Sequence, residues 1–289
     1  MKIKEMLFKK ELTLSFEVFP PKRDGNLEEL FDAIGRLKKL NPDFISVTYG
    51  AGGSNKDNAL EIAYFIKNNF NLEVLSHLTC VQTTKKEMEK IIKEFEEAGI
   101  ENILALRGDP PKGTEKFEKF ENGFGYANEL VSFIRAMNGF CIGAACYPHG
   151  HSEAKSKEED MINLKRKVDA GTDFLITQLF FDNEEFYKFC EVAKKEKIDV
   201  PIIPGIMPIT SYKQIKRITE LSGHKLPYSL DEKIERLSNN SEEIEKYGIE
   251  YAIRQSQDLI KNKVRGIHFY CMNKSEPVSQ IVEGLNLKR

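Results

Sequence analysis

The sequence predicts an α/β fold, a (β/α)8 TIM barrel, on three observations. Short β-branched and aromatic runs alternate with longer amphipathic runs along all 289 residues. Helix-stop signals stand directly before several of the strand-like runs. The carboxyl ends of those runs, where barrels carry their chemistry, repeatedly hold charged, imidazole or amide side chains. An open doubly wound sheet shares this alternation, because sequence does not show closure. Both architectures wind parallel strands through right-handed crossovers.

In chain order, the expected strands are Thr13–Phe19, Asp43–Tyr49, Glu73–Cys80, Asn102–Leu106, Phe140–Tyr147, Asp173–Leu179, Pro201–Ile206 and Arg265–Tyr270. Helical periodicity fills residues 26–40, 55–70, 84–98, 125–138, 157–170, 183–196 and 210–221. A helix-rich stretch then runs to about residue 263, an elaborated seventh unit before the last strand, and a final helix lies near 275–286. Asn41-Pro42 closes the first helix, since proline disfavours helical geometry at the residue before it. Ala98-Gly99 and Ala170-Gly171 end later helices with a residue suited to a left-handed turn. With no repeat and no disordered linker, residues 1–289 read as a single domain.

Composition excludes several classes. Hydrophobic residues make up 40% and charged residues 30%, a globular balance. The 43 Lys and Arg nearly cancel the 45 Asp and Glu, leaving −2 and no overall basic field for nucleic acid or anionic lipid. No run approaches the roughly 18 apolar residues of a membrane span. The opening MKIKEMLFKKEL is broken too early by charges to be a signal peptide. Five scattered cysteines, an odd number set mostly in apolar runs, read as reduced thiols of a cytoplasmic protein.

The strand ends carry the chemistry. In the first, period-two alternation puts Glu17 on one face with Ser15 and Phe19. A carboxyl group among such neighbours loses water, which raises its pKa and suits a general acid. A structural Glu paired to a cation across the barrel is the equal alternative. Thr48 and Tyr49 end the second strand, before a glycine run that lacks GxGxxG spacing; no GxxxxGK[ST] occurs either. The next ends hold His77, then Arg107-Gly108-Asp109, then Tyr147 through Ala154, then Gln178. After the fifth strand, Asp160, Asn163 and Lys167 share one helical face beside Arg166. That face suits ribose hydroxyls and a pyrophosphate, or is simply a solvated surface.

Ten segments, SFEVFPPK (15–22), SVTYGAGGS (46–54), HLTC (77–80), LRGDPP (106–111), GYANEL (125–130), YPHGHSEA (147–154), NLKRKVDAG (163–171), TQLFFD (177–182), PGIMPI (204–209) and HFYCMNKSE (268–276), resemble the methylenetetrahydrofolate reductase family in order along nearly the whole chain. The resemblance is to the bacterial type, a catalytic barrel alone. It implies noncovalent FAD at the strand ends, with contacts from Thr48, Tyr49, His77, Arg107, Gly108, Asp109, Ala127, Tyr147, His151, Ala154, Asp160, Asn163, Arg166 and Lys167. Glu17 then matches the general acid, Asp109 the aspartate that tunes the flavin and touches the pterin, and Gln178 a glutamine shared by folate and nicotinamide. Gln214 and Lys274 fall at folate-binding positions; Lys274 replaces an arginine, and Ile218 a phenylalanine of enteric bacterial members.

The implied reaction is ping-pong. NADH or NADPH reduces FAD, and methylenetetrahydrofolate then takes a proton from Glu17 and a hydride from the flavin, supplying methyl groups to methionine synthesis or one-carbon metabolism. A homo-oligomer is expected by resemblance, and the electron donor stays open, including an electron-transfer partner subunit. Two other classes fit the residues less well. His149-Gly150-His151 would suit a metal-dependent hydrolase, but no second histidine pair or HExxH supports it, and no metal is expected. A non-enzymatic folate-binding or electron-transfer subunit is opposed by Glu17, Asp109 and Gln178.

Overall fold

The computed structural model describes residues 1–21, 26–49, 56–110, 114, 117–222 and 225–287. Lys22, residues 50–54, Pro111 and His224, which entered the sequence reading, lie outside them. Among the described residues nine parallel strands build the barrel: β1 (Thr13–Val18), β2 (Phe44–Val47), β3 (Glu73–Thr79), β4 (Asn102–Leu106), β5 (Cys141–Cys146), β6 (Phe174–Thr177), β7 (Ile202–Ile203), β8 (Gly205–Ile206) and β9 (Gly266–Tyr270). Their order is β7-β6-β5-β4-β3-β2-β1-β9-β8. The expected seventh strand is thus two short pieces. Pro204 has no N–H to give a ladder; before it β7 pairs with β6, and after it β8 pairs with β9. One chain segment therefore joins the two ends of the sheet into a barrel, which the alternating pattern had left open.

The outer layer comprises α2 (Leu27–Lys38), α3 (Lys56–Phe70), α4 (Lys85–Glu97), α5 (Ala127–Ala136), α6 (Lys157–Asp169), α7 (Asn183–Lys195), α8 (Tyr212–Ser222), α9 (Tyr228–Arg236), α10 (Ser241–Lys261) and α11 (Ser275–Gly284). α9 and α10 resolve the elaborated stretch before the last strand. Local chemistry sets the boundaries. Thr84 and Glu87 close a reciprocal capping box at the start of α4. Beyond its end Gly99 turns left-handed at φ +70. Asn41, before Pro42, is also left-handed, at φ 53. Alternate strand residues such as Leu14, Phe16 and Val18 pack outward with buried helix residues such as Ile34, Ile62 and Ile281.

The sequence reading had no helix in the opening segment, yet Ile3–Lys9 forms α1. Its face of Ile3, Met6 and Leu7 packs with Phe44, Leu75, Leu104, Cys141, Phe174, Ile176 and Ile203 from inside the barrel. Complete burial of such side chains contributes about 1.5–3 kcal/mol each. Asn102 secures the plug by accepting the Ile3 amide at 2.7 Å. The amino-terminal end of the barrel is therefore apolar and closed, so the interior is reached from the carboxyl ends of the strands. Among the described residues, no helix is long and apolar enough to cross a membrane.

Candidate active site

Polarity enters the barrel one layer above the plug. The parallel register pairs Glu17 with Ser46 on one side and Tyr270 on the other. Alternation then sets Ser15, Glu17, Ser46, His77, His268 and Tyr270 on the inward face. Glu17 Oε2 lies 3.4 Å from His77 Nε2 and 3.5 Å from His268 Nε2. Each imidazole has a serine against it: Ser46 Oγ is 2.6 Å from His77 Nε2, and Ser15 Oγ is 2.8 Å from His268 Nδ1. The Tyr270 hydroxyl donates to the Thr177 carbonyl at 2.5 Å.

This arrangement bears on the charge of Glu17, which the sequence left between two readings. Burial does push its carboxyl upward, but the approach of His268, with a smaller pull from the two facing imidazoles in their protonated form, outweighs burial and leaves it below the usual carboxylate value. Strand alternation had revealed the enclosure and not the two imidazoles facing it. Burial dominates at His77, drawing its pKa down to about 4 even beside Glu17. His77 is therefore neutral near pH 7.

Above this layer two clefts open side by side. One, about 460 Å³, is lined by Glu17, Phe19, Thr48, Tyr49, His77, Thr79, Arg107, Gly108, Asp109, Gln178, Ile218 and Met272, among others. The second, about 790 Å³, runs along α5 and α6 past Ala127, Ala154, Asp160, Asn163, Arg166 and Lys167. Leu106, Arg107, Ala145, Tyr147 and His151 line both, making one continuous depression.

Charge is distributed unevenly along it. Arg107 grips Glu153 through both terminal nitrogens, at 2.5 and 2.6 Å, and lies over the Phe117 ring. The half-buried Lys167 amine donates to the Ala145 carbonyl at 2.5 Å, and the loss of water around it draws its pKa down. Burial raises the Asp160 carboxyl despite the opposing pull of Lys167. Arg166 donates to Asn163 Oδ1 at 3.0 Å. Tyr147 and His151 meet edge to face, with ring centres 4.7 Å apart, at the junction of the clefts.

Two expected folate residues stand outside these linings. Gln214 Oε1 accepts from Thr210 N at 2.9 Å and Thr210 Oγ1 at 2.7 Å, serving the start of α8. Lys274 is exposed and precedes α11 as its N-cap. Conversely, Ser15, Ser46, His268 and Tyr270 were not singled out from sequence, although alternation in Gly266–Tyr270 aligns His268 and Tyr270 on one face. His149 of the HxH pair contacts Glu185 at 2.7 Å. Among the described residues, no group of three or more His, Cys, Asp or Glu could hold a metal ion.

Comparison with known proteins agrees with this architecture. The "Uncharacterized protein from Clostridium thermocellum binds two copies of 5-methyl-5,6,7,8-tetrahydrofolic acid" superposes with a TM-score of 0.62 over 99% of this chain and 98% of that one. At 14% identity that likeness shows the fold alone. "Methylenetetrahydrofolate reductase (NADH) 1" of Arabidopsis thaliana is 37% identical over 99% of this chain and 50% of its own length. "5,10-methylenetetrahydrofolate reductase" of Escherichia coli (strain K12) is 37% identical over 96% of this chain and 92% of its own. The chain thus spans about half the plant relative and nearly all of the bacterial one. The family model for methylenetetrahydrofolate reductase matches residues 2–286, and on that extent the chain belongs to the methylenetetrahydrofolate reductase family.

Proposed function

We propose that this barrel reduces 5,10-methylenetetrahydrofolate to 5-methyltetrahydrofolate, with FAD as its cofactor and NADH or NADPH as donor. The observation that carries this is the convergence of Glu17, Asp109 and Gln178 on one cleft that continues into a long, cation-bearing one.

The residues present fit FAD. Lys167 is a half-buried cation whose ammonium form is disfavoured by loss of water, a cost that a pyrophosphate beside it would offset. Arg166 lies one residue away on the same cleft, where Asp160 and Asn163 could hold ribose hydroxyls. In the smaller cleft, Thr79 Oγ1 is buried without a hydrogen-bond partner among the described residues, so a ring heteroatom there would satisfy it. Bound FAD would supply the hydride chemistry, accepting hydride from the nicotinamide and passing it to the one-carbon unit.

Glu17 would deliver the proton. Uncovered, it is a carboxylate held between two imidazoles; a folate ring over the cleft would remove its remaining water and favour the protonated acid. It could then protonate folate N10 and open the imidazolidine ring. Ser15 and His268 stand behind it in a hydrogen-bonded pair that could return the proton. Asp109 and Gln178 would orient the pterin, while Phe19, Leu179 and Met207 exclude water around it. Residues 1–289 would form one catalytic domain of a cytoplasmic homo-oligomer.

Anaerobic mixing of the purified protein with NADH or NADPH tests this directly. The yellow colour should bleach, then return on addition of methylenetetrahydrofolate with formation of 5-methyltetrahydrofolate. Protein without flavin, or flavin that the folate does not reoxidise, would refute the assignment.

A further inference from the structure

After β9 the chain reverses in a four-residue turn. The Lys274 amide donates to the Cys271 carbonyl at 2.8 Å, and Met272 and Asn273 both have positive φ, 50° and 57°. Positive φ at both central positions is the pattern of a type I′ turn, which favours Asn and Gly and is uncomfortable for Met. Strained backbone of this kind persists where surrounding contacts over-determine it.

Those contacts fall on the end of β1. Asn273 Oδ1 accepts the Phe19 amide at 3.0 Å, and Asn273 Nδ2 donates to the Phe19 carbonyl at 2.8 Å. β1 ends at Val18, so Asn273 gives Phe19 the pair of hydrogen bonds that a neighbouring strand otherwise provides. Cys271 Sγ lies 2.7 Å from the carbonyl oxygen of Glu17. Between them Met272, 44% exposed, lines the smaller cleft together with Glu17 and Phe19. The turn therefore holds the backbone at Glu17 itself and two residues beyond it.

We propose that the Cys271–Lys274 turn is a clamp that aims the Glu17 carboxyl and the Phe19 ring into the cleft, with Asn273 as its positioning residue. This rests on the general-acid role proposed for Glu17. β1 is paired with β9 only as far as Glu17, so without the turn the strand end just beyond the carboxyl group is held from the β2 side alone; misplacement of the carboxyl by about 1 Å can cost on the order of 100-fold in rate.

Asn273→Gly in the flavin-loaded protein separates positioning from folding, because glycine takes positive φ freely while both bonds to Phe19 disappear. Flavin content, thermal midpoint and bleaching by the nicotinamide should stay close to the unmodified protein. Reoxidation by methylenetetrahydrofolate should slow by roughly 10- to 100-fold, with a shifted pH profile. An unchanged rate and profile would overturn the clamp, and so would equal losses in both half-reactions, which mark a general distortion. Cys271→Ala, removing the other contact, should give a smaller loss in the same half-reaction; no loss would confine the clamp to Asn273. If the unmodified holoprotein is bleached but not recoloured by the folate, the parent function falls and the clamp's catalytic role with it.

Discussion

His77 Nε2 stands 3.4 Å from Glu17 Oε2, with the two side chains only 8% and 19% exposed. His268 Nε2 approaches the same oxygen to 3.5 Å. One carboxylate oxygen is thereby held between two imidazoles in a space that the α1 plug closes from the opposite end of the barrel. Such a carboxylate is stable as an anion yet one substrate's thickness from being fully desolvated, which is the condition for switching between base and acid within a catalytic cycle.

Glu17→Gln follows from that geometry. The amide keeps the size of the side chain and removes the transferable proton. The variant should retain flavin and its reduction by the nicotinamide, while reoxidation by methylenetetrahydrofolate falls by about 10²–10⁴-fold. Stopped-flow absorbance of each half-reaction separates the two. A folate rate close to that of the unmodified protein would remove Glu17 from the role of acid.

His77 makes stability depend on pH in a defined window. Its pKa is about 4 in the folded chain against an ordinary value of 6.5. Above pH 6.5 neither state is protonated and the group contributes no pH slope. Between pH 6.5 and 4 the unfolded chain binds the proton and the folded chain does not, so stability declines as pH falls. A shift of this size corresponds to about 3 kcal/mol. Glu17, whose pKa is lowered, acts in the same direction but only below the ordinary carboxylate value. Urea unfolding of His77→Gln from pH 7 to 4.5 should show a flatter decline than the unmodified protein; parallel curves would contradict a neutral buried imidazole.

The same residues show how far the sequence could be read. Eight strand positions were legible, because β-branched runs at a steady spacing reflect burial on both faces of a parallel sheet. The break at Pro204 was not, since it depends on which neighbour each half of Pro201–Ile206 meets. The α1 plug escaped because Ile3–Lys9 is only seven residues, and its apolar face has meaning only against the barrel floor. Glu17 was visible as an enclosed carboxyl group whose charge the sequence left between two readings, because His77 and His268 are 60 or more residues away in sequence and become neighbours only through strand register. Gln214 was placed by motif, and the local engagement of its carboxamide oxygen by Thr210 was not legible in the sequence.

Asp109 lies exposed at the rim of the smaller cleft, next to Gly108 in its left-handed turn at φ +86. A negative charge there would oppose electron density gained by a bound flavin. Asp109→Asn should therefore raise the flavin potential by tens of millivolts, where about 30 mV corresponds to roughly 1.4 kcal/mol for a two-electron couple. Folate reoxidation should slow as well, because the pterin loses a contact. A potentiometric titration with no shift, together with normal turnover, would place Asp109 outside this role.

Lys167 offers a test of the long cleft that does not depend on turnover. Its ammonium group is half-buried, bonded to the Ala145 carbonyl, and disfavoured by the partial loss of water. Methionine fills a similar volume without a charge to desolvate, so Lys167→Met should leave the thermal midpoint of the flavin-free protein unchanged or higher. An anion beside that ammonium would lose a charge-assisted hydrogen bond, worth about 1.5–3 kcal/mol, so the apparent Kd for FAD should rise by roughly 10- to 100-fold. Fluorescence titration of the flavin-free variant measures this at two salt concentrations, and the unmodified protein should show the steeper salt dependence. Arg166→Gln should weaken FAD less, because its guanidinium is already bonded to Asn163 at the cleft edge. Equal FAD affinity in Lys167→Met and the unmodified protein would mean that the pyrophosphate lies elsewhere, and the long cleft would lose its assignment.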